Sequence, residues 1–167
     1  MLVAETLRCA KCGAGYGLME MRETCDACGG QLLYTYDYEE VKNRLSISEL
    51  QRRAWGVWRY MELLPSCSPE RIISLGEGGT FLHHSHRLAE ELDVASLLLK
   101  DETTNPTGAF LDRGATVVVS QAREMGYHTI SCATTGNIGA SLAAYAAKGG
   151  MRCNIYVPPS VDLGKLY

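Results

Sequence analysis

The sequence predicts an α/β chain in which a partial parallel sheet is preceded by a small cysteine-bound module. Three observations lead there. Two Cys-x2-Cys pairs fall within the first 28 residues, strand-like and helix-like runs alternate from about residue 70, and the stretch between is charged and free of internal proline. A chain of 167 residues, 46% hydrophobic and 21% charged, can bury the core of one ordinary domain, or of one domain plus a small module. The formal charge of −3 supplies no attraction for nucleic acid or an anionic membrane, and neither is an expected partner. No apolar run approaches the roughly 18 residues of a spanning helix. The opening "MLVAETLRCAKC" lacks a signal-peptide pattern, so a cytoplasmic location is expected. Seven cysteines in that setting point to metal binding or buried thiols, not to a disulfide frame.

Residues 1–36 are short and turn-rich, and "QLLYTY" after the second cysteine pair has strand character. Cys9 and Cys12, then Cys25 and Cys28, each have the spacing of a knuckle turn that aims two thiolates at one metal. Glycines just after Cys12 and Cys28 allow the tight backbone. Four thiolates suit tetrahedral Zn²⁺, which would hold together a zinc-ribbon-like module too small for its own core. Its role would be structural, because four protein ligands leave no open position. A ribbon of reduced, empty cysteines, or a redox pair, is the alternative that this spacing leaves open.

Residues 37–69 form a helical connector, with one or two short helices over 37–65. Trp55, Trp58 and Leu63 recur at helix-like intervals, the usual mark of packing onto a neighbouring element. From residue 70 to 167 the texture is βαβ-like. "RIISLGEGGTFL" reads as strand then glycine-rich turn, "RLAEELD" as helix, and "SLLLKDET" as a buried strand ending in charge. "DRGATVVVSQAREMG" reads as a helix capped by Asp112, "YHTISCAT" as a strand, "NIGASLAAYAAKGG" as a helix and "RCNIYVPP" as a strand. A further helix is expected to begin in "SVDLGKLY". Two or three parallel strands need more cover than this region holds, so the sheet is expected to be incomplete.

Two loops carry chemistry. "NPTGAFLDRGA" is turn chemistry that ends by presenting residue 111 at a helix start, and that residue is Leu111. In "CATTGNIGA" a strand runs into Thr134, Thr135, Gly136 and Asn137 before a helix opens on small residues. Free N–H groups and two hydroxyls there fit a small carboxylate or phosphate, or make an ordinary strand-to-helix turn. "GEGGT" is a weaker small-residue turn. The "HHSH" run at 83–86 is expected to face solvent, and Cys67, Cys132 and Cys153 lack partner spacing, the last two reading as inert strand thiols.

Together these motifs resemble threonine synthase, a family of fold-type II pyridoxal-phosphate (PLP) enzymes. The resemblance follows the chain in order: the two-pair ribbon with "CGG", then "VWRYMELLP", "SLGEGGT", "LLLKDETTNPTGAF", "DRGA" and "TTGNIGASLAAYAAKGG". It implies an incomplete fold-type II PLP-enzyme sheet behind the zinc-ribbon-like module, with the family's phosphate cup encoded beyond Tyr167. The family pattern N-P-T-G-S-F-K-D-R-G puts the PLP-holding lysine where this chain has Leu111, and its serine where this chain has Ala109. By the resemblance, Asn137 bonds the cofactor's 3′ hydroxyl, while Thr134, Thr135 and Gly136 take the substrate carboxylate. The implied substrate is a small phosphorylated amino acid, O-phosphohomoserine, converted with water to threonine and phosphate. A cysteate-synthase-like PLP enzyme would share the same motifs.

Leucine forms no Schiff base and moves no proton, and neither Lys100 nor Lys148 stands in its place. The chain is therefore expected to lack a catalytic residue at 111, to hold PLP non-covalently if at all, and to be inactive by itself. The alternative is a non-catalytic interaction module, or half of a split enzyme. Its unpaired edges and apolar faces would then dock on a complementary chain or a second copy.

Overall fold

The computed structural model describes residues 4–18, 22–65 and 67–160, so the helix expected in "SVDLGKLY" lies almost wholly outside the described residues. The chain divides into two compact units, Met1–Ala54 with Trp58–Ile72 and Trp55–Val57 with Ile73–Tyr167.

The first unit is built on three antiparallel strands in the order β2-β1-β3: β1 Ala4–Cys9, β2 Gly15–Tyr16 and β3 Leu32–Tyr36. Leu7 is the central residue, pairing with Tyr16 on one side and Tyr34 on the other, and it is buried. Helix α1 (Tyr38–Arg44) starts where the Asp37 carboxylate accepts from the Glu39 and Glu40 N–H groups, both at 3.0 Å. Helix α2 (Ile47–Arg52) starts on Ser46, whose hydroxyl accepts from Glu49 N–H at 3.1 Å. Each cap satisfies donors that the first helical turn leaves without partners. A 3-10 segment, Val57–Leu63, follows α2, and Arg53 grips Glu62 through two bonds of 2.6 and 2.8 Å.

The helix-like spacing of Trp55, Trp58 and Leu63 does not make one stripe. Gly56 sits at φ 152°, a backbone setting closed to other residues, so no helix runs from Trp55 to Trp58. Trp55 lies ahead of the 3-10 segment and is 78% exposed.

In the second unit, β6 (Thr129–Ala133), α5 (Asn137–Lys148) and β7 (Arg152–Tyr156) form the expected βαβ unit, with the two strands parallel from Thr129↔Arg152 to Ala133↔Tyr156. Helix α4 (Asp112–Glu124) packs beside α5 over a core of Ile73, Ala115, Val119, Ile130, Leu142 and Tyr145. Gly139 makes the close approach possible. A Cβ there would stand 2.8 Å from Thr134 Cγ2 and 3.1 Å from Ile155 Cγ2.

Two expectations fail here. "RIIS" is not a strand, because α4 takes its backbone groups: Ile73 N–H donates to Ser120 Oγ at 2.8 Å and Thr116 Oγ1 donates to Ile73 C=O at 2.6 Å. The segment is thus held by two hydroxyls one helical turn apart on α4. "SLLLKDET" is not a buried strand of the parallel sheet. Its strand β5 (Leu98–Asp101) pairs antiparallel with β4 (Phe81–His84), from Phe81↔Asp101 to His84↔Leu98. Phe81, Leu82, Leu98 and Leu99 are all exposed. An unbroken apolar run signals a strand covered on both faces, and among the described residues nothing covers this one. Helix α3 (His86–Glu91) lies between β4 and β5 in the chain.

Candidate metal centre and cofactor loop

The ribbon brings the four predicted cysteines together. Their sulfurs all lie within 4.8 Å of one another, with Cys9–Cys28 and Cys12–Cys25 each at 3.5 Å. A tetrahedral Zn–S₄ site with bonds of about 2.3 Å requires sulfur–sulfur separations of about 3.8 Å, which this spread brackets. The knuckle is built by backbone: Lys11 N–H and Cys12 N–H donate to Cys9 Sγ at 3.4 and 3.5 Å. Gly13 and Gly29 turn at φ 77° and 67°, the left-handed setting that glycine tolerates. Gly30 keeps the cradle open, since a Cβ there would fall 2.7 Å from Cys9 Sγ and 2.9 Å from Lys11 Cβ.

Two of the four sulfurs, Cys9 and Cys25, are favoured as thiolates, whereas Cys28, despite a lowering bond from the Gly30 backbone, is pushed up to about 12 by the neighbouring Cys12 and Cys9 sulfurs and by burial. Tyr16 Oη lies 3.0 Å from Cys25 Sγ, and chiefly through that hydrogen bond the Cys25 thiol is lowered to about 6. The Cys12 N–H does the same for Cys9, whose thiol is also lowered. These residues fit a structural Zn²⁺ held by four thiolates. Tyr16 was invisible in the sequence, where a tyrosine between Gly15 and Gly17 gives no sign of facing sulfur.

The loop that leads to α4 is held on every side. Asn105 is buried; its side-chain carbonyl accepts from Gly78 N–H at 3.0 Å, and its amide donates to Glu102 C=O and Oε2 at 2.8 and 3.0 Å. Arg113 clasps Glu102 through Nε at 2.7 Å and Nη2 at 2.8 Å, and Nη2 also reaches Thr80 Oγ1 at 3.1 Å. The Arg113 guanidinium, with help from Thr80 and Asn105, holds the Glu102 carboxyl down to about 2. Lys100 Nζ is committed to the Thr80 carbonyl. Gly108, at φ 75°, closes the Asn105–Gly108 turn through its N–H at 2.9 Å from Asn105 C=O.

Leu111 occupies the cap position of α4 with helical dihedrals and no side-chain cap bond. Asp112 is therefore not the cap predicted for it. It is fully buried and turns back onto the loop, accepting from Thr107 N–H at 2.7 Å and Thr107 Oγ1 at 2.6 Å. Thr107 Oγ1 also lies 3.1 Å from Ser141 Oγ on α5. That bond ties the position-111 turn to the helix that begins at Asn137. Thr134 accepts from Gly136 N–H at 3.1 Å, folding its hydroxyl into its own loop, while Thr135 and Asn137 are exposed.

Glu77 of "GEGGT" was not singled out in the sequence, yet it is 1% exposed and receives Tyr145 O–H at 2.7 Å, Leu75 N–H at 2.9 Å and Ser74 O–H at 3.1 Å. Burial first, then that carboxylate, push the Tyr145 hydroxyl well above its usual range. A lone polar ring in "LAAYAAK" was the one available hint. The histidines of "HHSH" are exposed, with His83 3.8 Å from Asp101 and the His84 and His86 rings 4.2 Å apart. Cys132 and Cys153 are half-buried, and burial raises the Cys153 thiol.

The second unit is thus an α/β protein in which a polar-clamped loop leads into a helix beside a βαβ unit. The family model described as pyridoxal-phosphate dependent enzyme matches residues 73–167, more than half of the chain, and the chain belongs to that family. Within it the likeness is to threonine synthases. The chain is 49% identical over 160 residues to the threonine synthase of Methanocaldococcus jannaschii, covering 95% of this chain and 39% of that relative. It is 42% identical over 161 residues to that of Methanosarcina acetivorans, covering 96% and 39%. The threonine synthase of Halalkalibacterium halodurans is 44% identical over 108 residues, covering 64% and 30%. The chain thus spans about two fifths of the length of the first two relatives. Among the described residues, no helix is long and apolar enough to cross a membrane.

Where PLP is concerned, the residues present do not fit a covalently held cofactor. The side chain at the presenting position is aliphatic, and Lys100, the nearest lysine in sequence, is bonded to the Thr80 carbonyl.

Proposed function

We propose that this chain is a threonine-synthase-like polypeptide of the PLP-dependent family in which the covalent cofactor link is lost at position 111 and the lyase reaction on O-phosphohomoserine is silent. The observation that carries this reading is Leu111 at the head of α4, with the Asn105–Glu102–Arg113 clamp around its loop intact. A lysine there would supply both the tether and the proton carrier, and general acid–base catalysis alone is worth about 10²- to 10⁴-fold. The loop of Thr134, Thr135, Gly136 and Asn137 is assigned the family's carboxylate and 3′-hydroxyl contacts. Its position at the start of α5 supports that assignment. The likeness to threonine synthases favours that activity over a cysteate synthase's. The test is phosphate release from O-phosphohomoserine with PLP supplied: no release above the uncatalysed rate is expected. PLP-dependent release with equimolar threonine would contradict the reading.

The four cysteines are proposed to hold a structural Zn²⁺, making residues 1–36 a zinc-ribbon-like module. Their separation and the Gly30 cradle support it.

A second reading, a docking module or half of a split enzyme, is favoured by the exposed Phe81, Leu82, Leu98 and Leu99 of β4 and β5. These side chains fit a complementary polypeptide carrying further elements of the family fold, or a second copy. Sedimentation velocity is expected to show self-association. A strictly monomeric chain with a single reversible melt would speak against this reading.

A further inference from the structure

We propose that the Tyr16 hydroxyl is a built part of the metal centre, donating to the Cys25 ligand and thereby setting how tightly the four-cysteine site holds Zn²⁺. The inference rests on the metal-centre reading above and adds a residue to it that is not a ligand.

The direction of the bond follows once Cys25 is a metal ligand. A tyrosine hydroxyl carries one proton and accepts through its lone pairs. Asp26 N–H donates to Tyr16 Oη at 3.1 Å, a bond in which the hydroxyl accepts and keeps its own proton for another partner. The hydroxyl's side-chain contact is the 3.0 Å one to Cys25 Sγ. A metal-bound thiolate has no proton to give, so the hydroxyl proton must point at sulfur.

The ring that carries this hydroxyl is held on three counts. Tyr16 sits in β2, paired with Leu7 of β1. The Arg22 guanidinium lies 4.7 Å from its ring centroid, and the same arginine is ion-paired to Asp26, whose N–H donates to the hydroxyl. Cys25 itself is 2% exposed, so water does not compete for the sulfur.

The need for such a donor follows from charge. Four thiolates around one Zn²⁺ leave a net charge of about −2 in a small site that is buried at Cys9 and Cys25 and open to solvent at Cys12. Donors to sulfur drain that charge and fix ligand orientation, and such outer partners typically matter 10- to 100-fold in metal affinity. Cys9 receives its donors from the backbone of Lys11 and Cys12. At Cys25 the Tyr16 side chain adds to the backbone of Ala27 and Cys28, and this donor is removable by substitution.

The experiment is Tyr16→Phe in the full chain, read by Zn²⁺ chelator competition and by the Co²⁺-substituted spectrum. Tetrahedral d–d bands should persist, showing that the four sulfurs still assemble. The sulfur-to-cobalt charge-transfer band should move to lower energy, and Zn²⁺ affinity should fall by about 10-fold or more. A variant matching the wild type in both affinity and band position would overturn the proposal. Should Tyr16→Phe fail to fold, global replacement of tyrosine by fluorotyrosine in the wild-type chain strengthens the same donor and should shift the band the opposite way. No shift would overturn the proposal equally. Wild-type protein that binds neither metal would instead overturn the metal-centre reading, and this inference with it.

Discussion

Asp112 shows what residue-level physics adds to a sequence pattern. An aspartate at a predicted helix start is normally a cap, yet here the backbone enters α4 one residue earlier, at Leu111, and the carboxylate is spent on Thr107. The helix was legible in the sequence; the partner of its first acidic residue was not, because only the folded loop brings Thr107 within reach. Glu102 is the companion case. Its carboxyl ionises at about 2 in the fold against an ordinary 4.5, so its bond to Arg113 contributes stability above pH 4.5. That contribution is lost progressively as pH falls from 4.5 towards 2. Glu102 is 30% and Arg113 35% exposed, so solvent screening trims the pair to about 1 kcal/mol. Glu102→Gln is therefore expected to lose about 1 kcal/mol at pH 7 in a denaturant titration and almost nothing at pH 2. An equal loss at both would show that the charge plays no part.

Elements were most legible where one periodicity had one explanation. The α4 and α5 patterns and the β6–α5–β7 order match the sequence expectation. "RIIS" failed because strand propensity cannot reveal that Thr116 and Ser120 will satisfy Ile73 from a helix. "SLLL" failed because a run of leucines does not distinguish a covered strand from an exposed one awaiting cover. Gly139 gives the element scale its test. Alanine should favour a helix by up to about 1 kcal/mol, but its Cβ would press Thr134 at 2.8 Å. Overpacking of this kind costs about 1–3 kcal/mol, so the clash should win. We expect Gly139→Ala to lower the melting temperature by several degrees and to disturb the Thr134 amide resonance, as the side chain is forced from its bond to Gly136. An unchanged or raised melting temperature would mean that α5 shifts freely on β7.

For the whole molecule, family membership was legible because several short motifs occur in fixed order, and the cysteine cluster because its spacing has few other uses. The polar clamps were not legible: Glu77 with Tyr145, and Glu102 with Arg113, join residues 68 and 11 positions apart. The Glu102–Arg113 pair holds the loop that leads to α4, and the residue at the head of that helix is Leu111. The account turns on that residue. It is tested most directly by incubating the purified chain with excess PLP, reducing with borohydride, and mapping adducts by mass spectrometry. We predict scattered, substoichiometric labelling of surface lysines and no site-specific adduct. A one-to-one adduct on a single lysine would contradict the account.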